Sequence, residues 1–193
     1  MLNPTDPVEA AVALARTFDS CGVSYALGGA IAYGIWAIPR ATLDVDINVF
    51  LEDSELPQLA RALSTLGIVV DVGRLQADSA ARGMSVVRFG MFRVDLFTPS
   101  IPFAREAERT RRVVELEHEK VFVLAPEALS VFKMLFFRPK DVVDLERLLA
   151  VQRAAIDTAY VRGVLVDMMG AQDARVIRWD ELVAASGTMP RQS

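Results

Sequence analysis

The sequence holds one cysteine, Cys21, and one histidine, His118. A lone cysteine excludes an internal disulfide. One residue of each kind cannot build a zinc site that needs four Cys and His ligands. A strong charge of one sign is also missing. Lys plus Arg number 21 and Asp plus Glu 25, a net charge of −4, so the chain is not one that coats nucleic acid by bulk charge. Hydrophobic residues make up 52% and charged residues 24%, which excludes disorder as the main state. The start, MLNPTDPVEA, has neither the basic nor the apolar segment of a secretory leader. One long uncharged run exists, CGVSYALGGAIAYGIWAIP at 21–39, near the length of a membrane span. Gly22, Gly28, Gly29, Gly34 and Pro39 interrupt it, so a strand, a glycine turn and a short helix are expected instead. The expectation is a cytoplasmic protein of 193 residues without a membrane segment, formed by one domain or one domain and a small appendage.

Asn3–Pro7 reads as a helix start with Pro7 in the first turn, and the helix runs to about Ser20. Ser24–Leu27 fits a short strand and Ala30–Ala37 a short helix stopped by Pro39. In Leu43–Leu51, Val45, Ile47 and Val49 alternate with Asp44, Asp46 and Asn48, the period of a strand. A helix follows with Leu56, Leu59, Ala60, Leu63 and Leu66 on one face, closed by Gly67. Ile68–Val72 is expected to be a strand, and Gly73–Gly83 is ambiguous. Ser85–Phe89 and Phe92–Phe97, either side of Gly90-Met91, suggest a hairpin. A short helix at Ile101–Thr110 and a pair of strands at Val113–Leu116 and Val121–Leu124 complete this part. Three helices are expected after Pro126, at Glu127–Phe137, Lys140–Gln152 and Asp157–Met169, with a loose tail from about Gly187. The fold class is therefore α+β: a mixed sheet flanked by helices at 1–124, then a helical section at 125–193 packed on that core. Charge is uneven along it. Residues 71–112 carry eight arginines against five acids and are the one candidate for an anionic partner.

Five features carry candidate chemistry. Gly28-Gly29 lies between a strand and a helix, as a tight turn or as a place where backbone N–H groups approach a phosphate. Asp44 and Asp46 share one side of a strand, their Cβ atoms about 7 Å apart. They are either a solvated face or ligands of a divalent cation such as Mg²⁺. Asp95 alternates with Val94 and Leu96. It completes a carboxylate cage for two metals, or pairs with a nearby arginine. Lys133 sits in a helix that is apolar nearly all round. It snorkels to solvent or meets a buried anion, phosphate or carboxylate. Asp141 and Asp144 lie in the first turn of the next helix, where they complement its dipole. Lys140 beside them reaches a phosphate or is solvated.

Read together, GGAIAYGIWAIPRATLDVDINVF resembles the signature of minimal nucleotidyltransferases of the DNA polymerase beta superfamily. There, a glycine pair is followed at some distance by Arg-x-Thr and D-x-D, here Gly28, Gly29, Arg40, Thr42, Asp44 and Asp46. Asp95 matches the third carboxylate. The block VLAPEALSVFKMLFFRPKDVVDLERLL resembles the helical block of the toxin-like AbiEii and MenT type. The resemblance implies the nucleotidyltransferase fold and Mg²⁺-dependent transfer of a nucleoside monophosphate from a nucleoside triphosphate. It implies metal ligation by Asp44, Asp46 and Asp95, with Asp95 as base. Gly28, Gly29 and Arg40 would hold the triphosphate, aided by Lys133, with Thr42, Lys140 and Asp144 at further nucleotide-binding positions. The small polar residue common after the first glycine is replaced by Gly29 and Ala30, which throws phosphate contact onto backbone N–H groups. The toxin-type relatives imply the tRNA 3′ end as acceptor and a cognate antitoxin as partner. Nucleotidylation of a protein or small molecule, and a non-catalytic nucleotide-binding module, are the alternatives.

Overall fold

The computed structural model describes residues 3–187; beyond Gly187 the expected tail lies outside the described residues. Contacts divide the chain into two units. The first takes the chain to Ile31 and then Arg40–Leu124, and the second takes Ala32–Pro39 and the chain from Ala125 onward. The sequence reading divides the chain once, after residue 124; the contacts also assign Ala32–Pro39 to the second unit.

The first unit opens with α1 (Pro7–Ser20). Pro7 supplies a preset φ where no amide donor is needed. The Asp6 carboxylate accepts from the Val8 and Glu9 amides at 2.8 Å, a cap worth about 1 kcal/mol. Next come β1 (Tyr25–Leu27), α2 (Gly29–Trp36), β2 (Asp44–Val49), α3 (Leu56–Thr65) and α4 (Val72–Arg82). They are followed by β3 (Met84–Phe89), β4 (Phe92–Phe97), α5 (Phe103–Thr110), β5 (Arg112–Leu116) and β6 (Glu119–Val123). The six strands form one sheet in the order β3-β4-β2-β1-β6-β5. β2 runs parallel to β4, β1 parallel to β6, and the remaining neighbours are antiparallel. Alternation works as a strand requires. Val45, Ile47, Val49, Val94 and Leu96 are buried, and α1 packs against β1, β2 and β6. Burying each such side chain is worth about 1.5–3 kcal/mol. The opposite face carries Asp44, Asp46, Arg93 and Asp95.

The expected strand at Ile68–Val72 does not form. Ile68–Val70 is irregular and Val72 opens α4. Ile68 is buried but Val69 is 90% exposed, so the β-branched run has no neighbouring strand to pack on. The ambiguous stretch after it is the helix α4. Asp71 caps it through the Arg74 amide at 2.7 Å, and Gly83 closes it in the left-handed conformation.

The second unit contains α6 (Pro126–Phe136), α7 (Pro139–Gln152), α8 (Thr158–Met169) and α9 (Ala174–Ser186). Leu129, Val131, Leu148, Leu165 and Trp179 lie in its core. The Trp179 indole N–H is satisfied by the Thr158 carbonyl at 3.2 Å. The sequence leads one to expect three helices here; α9 is a fourth. No helix among the described residues is long and apolar enough to cross a membrane.

Candidate active site

β1 ends in the glycine turn. The Gly28 amide donates to the Asp46 carbonyl at 2.8 Å, continuing the β1–β2 ladder by one residue. That bond uses the Gly28 N–H within the sheet; the early amides of α2, which starts at Gly29, have no acceptor within the helix. Gly29 has φ +52°, and a methyl group on it would overlap the Asp46 carboxylate. The left-handed turn and the missing side chain are thus both required for the chain to pass over Asp46. A methyl at Gly28 would approach Asn48 Nδ2 at 2.9 Å. Asn48 itself is buried, so this face of β2 is not a solvated strip along its whole length.

The parallel register sets Asp44 opposite Arg93 and Asp46 opposite Asp95. Adjacent strands lie about 4.8 Å apart, so two carboxylates face each other across β2 and β4, an arrangement that is unfavourable without a cation. Arg93 supplies one. Its Nε donates to Asp95 Oδ1 at 2.6 Å and its Nη2 to Oδ2 at 3.2 Å. The hydrogen bond and charge of Asp95, with smaller contributions from Asp44 and Asp46, hold the guanidinium protonated more firmly than usual. The sequence offered Asp95 as a metal ligand or as an arginine partner; the structure shows the arginine pair. Arg-x-Asp on one strand places both side chains on one face, the signal that identifies Arg93 as the partner.

Thr42 accepts from the Asp44 amide at 3.2 Å and so fixes the start of β2. Arg40 is half-buried just before it. The other candidates lie in the second unit. Lys133 is 5% exposed, Asp144 3% and Asp141 1%. Lys133 Nζ donates to Asp144 Oδ2 at 2.6 Å and lies 3.5 Å from Asp141 Oδ1. Its ammonium also stands over the Tyr33 ring, 5.4 Å from the centroid. Arg138 Nε donates to Asp141 Oδ2 at 2.6 Å. Burial alone would raise the Asp141 carboxyl, but Arg138 and Lys133 outweigh it and hold it below the usual carboxylate range. The buried anion that Lys133 requires is therefore this aspartate pair. Lys140 is exposed in the first turn of α7.

Asp44, Asp46 and Asp95 offer only carboxylate oxygen, the donor type that hard divalent cations take. Among the described residues no three His, Cys, Asp or Glu side chains converge closely enough to hold an ion. The donor chemistry fits such a cation; Arg93 must release Asp95 for a third ligand to form. Several arginines of 71–112 are held by carboxylates of their own. Arg82 pairs with Asp78, Arg105 with Glu52 and Arg109 with Glu106, while Arg93 and Arg88 stand on the carboxylate face.

The sheet and its flanking helices define the nucleotidyltransferase fold. The chain is similar to the solution structure of the antibiotic-resistance factor ANT(2'')-Ia, with a TM-score of 0.60 and 12% identity over 85% of this chain and 93% of that one. It is also similar to an antigenic nucleotidyltransferase-like protein from Paracoccidioides brasiliensis, with a TM-score of 0.55 and 17% identity over 100% and 97%. A third similar structure is ANT(2")-Ia in complex with adenylyl-2"-tobramycin, with a TM-score of 0.52 and 14% identity over 93% and 96%. No family model and no curated protein sequence matches the chain.

Proposed function

We propose that this chain is a Mg²⁺-dependent nucleotidyltransferase that moves a nucleoside monophosphate from a nucleoside triphosphate to the 3′ hydroxyl of tRNA. The observation that carries the transfer reading is the Gly29 turn seated on Asp46, itself directly opposite Asp95. A divalent cation held by Asp44 and Asp46 would screen the phosphates and lower the cost of charge building up in transfer. Gly29 and the first turn of α2 face the triphosphate with amide donors. Asp95, once released by Arg93, accepts the proton of the attacking hydroxyl. The acceptor oxygen bonds the α-phosphorus as the bond to pyrophosphate breaks. The tRNA acceptor, a toxin role and a cognate antitoxin rest on the likeness of the Val123–Leu149 block to the toxin-like enzymes. Lys133 and Asp144 act in this reading by fixing that block.

The second reading is the same transfer to a small-molecule hydroxyl, supported by the fold shared with ANT(2'')-Ia. Incubation with Mg²⁺, each labelled nucleoside triphosphate and total tRNA, beside an Asp46→Ala control, separates them. Label on tRNA that disappears in the control is the expected result. Label that forms only with an aminoglycoside or a protein overturns the tRNA acceptor. Absence of label on every acceptor, together with nucleotide binding that Asp46→Ala leaves intact, overturns the enzyme.

A further inference from the structure

The carboxylate face continues past Asp95 to the edge of the sheet. Two rows cross it. One runs Asp46, Asp95, Val86, and the other Asp44, Arg93, Arg88. β3 ends the sheet, with Met84, Val86 and Arg88 on this face, and of these Val86 and Arg88 are exposed. Arg88 stands directly across from Arg93. Like charges in that position destabilise a strand pair. Arg93 is compensated by Asp95; among the described residues Arg88 makes no ion pair. An uncompensated guanidinium kept beside a second one is a place for an anion.

The sheet order says which anion. The glycine turn lies on the β1 side of Asp46, and β4 and β3 lie on the other. In an in-line displacement the attacking oxygen approaches opposite to the leaving group. With pyrophosphate leaving on the glycine side, the acceptor hydroxyl enters on the Asp95 side, and whatever is attached to it extends over β3. We infer that Arg88, with Arg93 beside it, binds a phosphodiester of the acceptor, so that the acceptor is a nucleic-acid 3′ end and not a polycation such as an aminoglycoside. This inference rests on the transfer reading but specifies the acceptor by charge. When the acceptor enters, Arg93 exchanges part of its bond to Asp95 for the phosphate, and Asp95 becomes free to take the hydroxyl proton. Arg88 is a binding residue in this scheme, and Arg93 a positioning residue that acts through Asp95.

The test uses the full chain and a fluorescent single-stranded oligoribonucleotide with a free 3′ hydroxyl, with tobramycin as the cationic control. Arg88→Gln is expected to weaken oligonucleotide binding about tenfold, and Arg88→Lys to restore most of it. The slope of log affinity against log salt should become shallower by about 0.7 in Arg88→Gln, the share of one single-strand phosphate. In the transfer assay Arg88→Gln should raise KM for the RNA acceptor and leave KM for the nucleoside triphosphate unchanged. Equal binding and equal salt slope in Arg88→Gln and the unsubstituted protein overturn the inference, as does transfer to tobramycin that Arg88→Gln improves. These outcomes are distinct from failure of the transfer reading, since oligonucleotide binding is measured without turnover. Matching melting temperatures for the two Arg88 variants exclude a folding cause.

Discussion

Gly29 shows how much one residue decides. Its φ of +52° costs an L-residue about 1–2 kcal/mol, and its missing Cβ is the space that the Asp46 carboxylate fills. Gly29→Ala is therefore expected to lower stability by more than that amount, since the overlap with Asp46 adds to the backbone cost, and to abolish the proposed nucleotidyl transfer, because the methyl displaces the Asp46 oxygen. Thermal melting and label incorporation measured side by side check this. Activity retained with an unchanged melting temperature would mean that the turn relaxes away from Asp46 and does not cradle it. At this scale the sequence showed the glycine pair and the D-x-D but not their contact. Gly28 and Asp46 are eighteen positions apart, and only the β1–β2 register, with Leu27 opposite Ile47, brings the turn onto the carboxylate. Arg93 was in plain view two residues before Asp95, yet its preference for Asp95 depends on how crowded the strand face is with negative charge.

At the scale of elements, the pattern of α6 raised a question that α7 answers. An apolar helix with a single ammonium needs an anion, and the turn at Phe137, with φ +51°, reverses the chain so that α7 presents Asp141 and Asp144 to Lys133. The helix periodicities were legible, but which anion lies near Lys133 depends on how α6 and α7 cross. Lys133→Met should destabilise the chain by about 3–5 kcal/mol, the cost of leaving a buried charge unpaired. Lys133→Met with Asp144→Leu should recover much of that loss, since Asp141 retains Arg138. Chemical denaturation of the three proteins measures the coupling. If the double variant is stable but has a raised KM for the nucleoside triphosphate, Lys133 also contacts substrate; an unchanged KM confines it to the fold. Other elements read less well for physical reasons. Ile68–Val72 had strand composition but no strand beside it, and α4 was masked by polar residues because it buries only Leu75 and Ser79. The signals for α9 were its ends, an Asp173 cap and the left-handed Gly187, which frame a helix with a narrow apolar stripe.

At the scale of the whole molecule, charge is distributed so that positive potential is local. Arg16, Arg82, Arg105, Arg109, Arg162 and Arg178 each meet a carboxylate, and exposed pairs of this kind add little to stability. Their effect is on the field: each guanidinium is largely cancelled at a distance greater than about 10 Å at 0.1 M salt. With a net charge of −4, an RNA acceptor bound as proposed would be held by Arg88 and Arg93 on the carboxylate face and not by a basic surface. The dependence of oligoribonucleotide binding on salt should then be shallow, with a slope of log affinity against log salt no steeper than about −2, equivalent to three phosphates or fewer. A titration series from low to moderate salt gives the slope directly. A slope steeper than about −4 would require six phosphate contacts or more, too many for the carboxylate face alone, and would place the acceptor across a second surface of the molecule. A shallow slope would leave recognition to the face beside Asp95, where one phosphodiester and one hydroxyl must be positioned together.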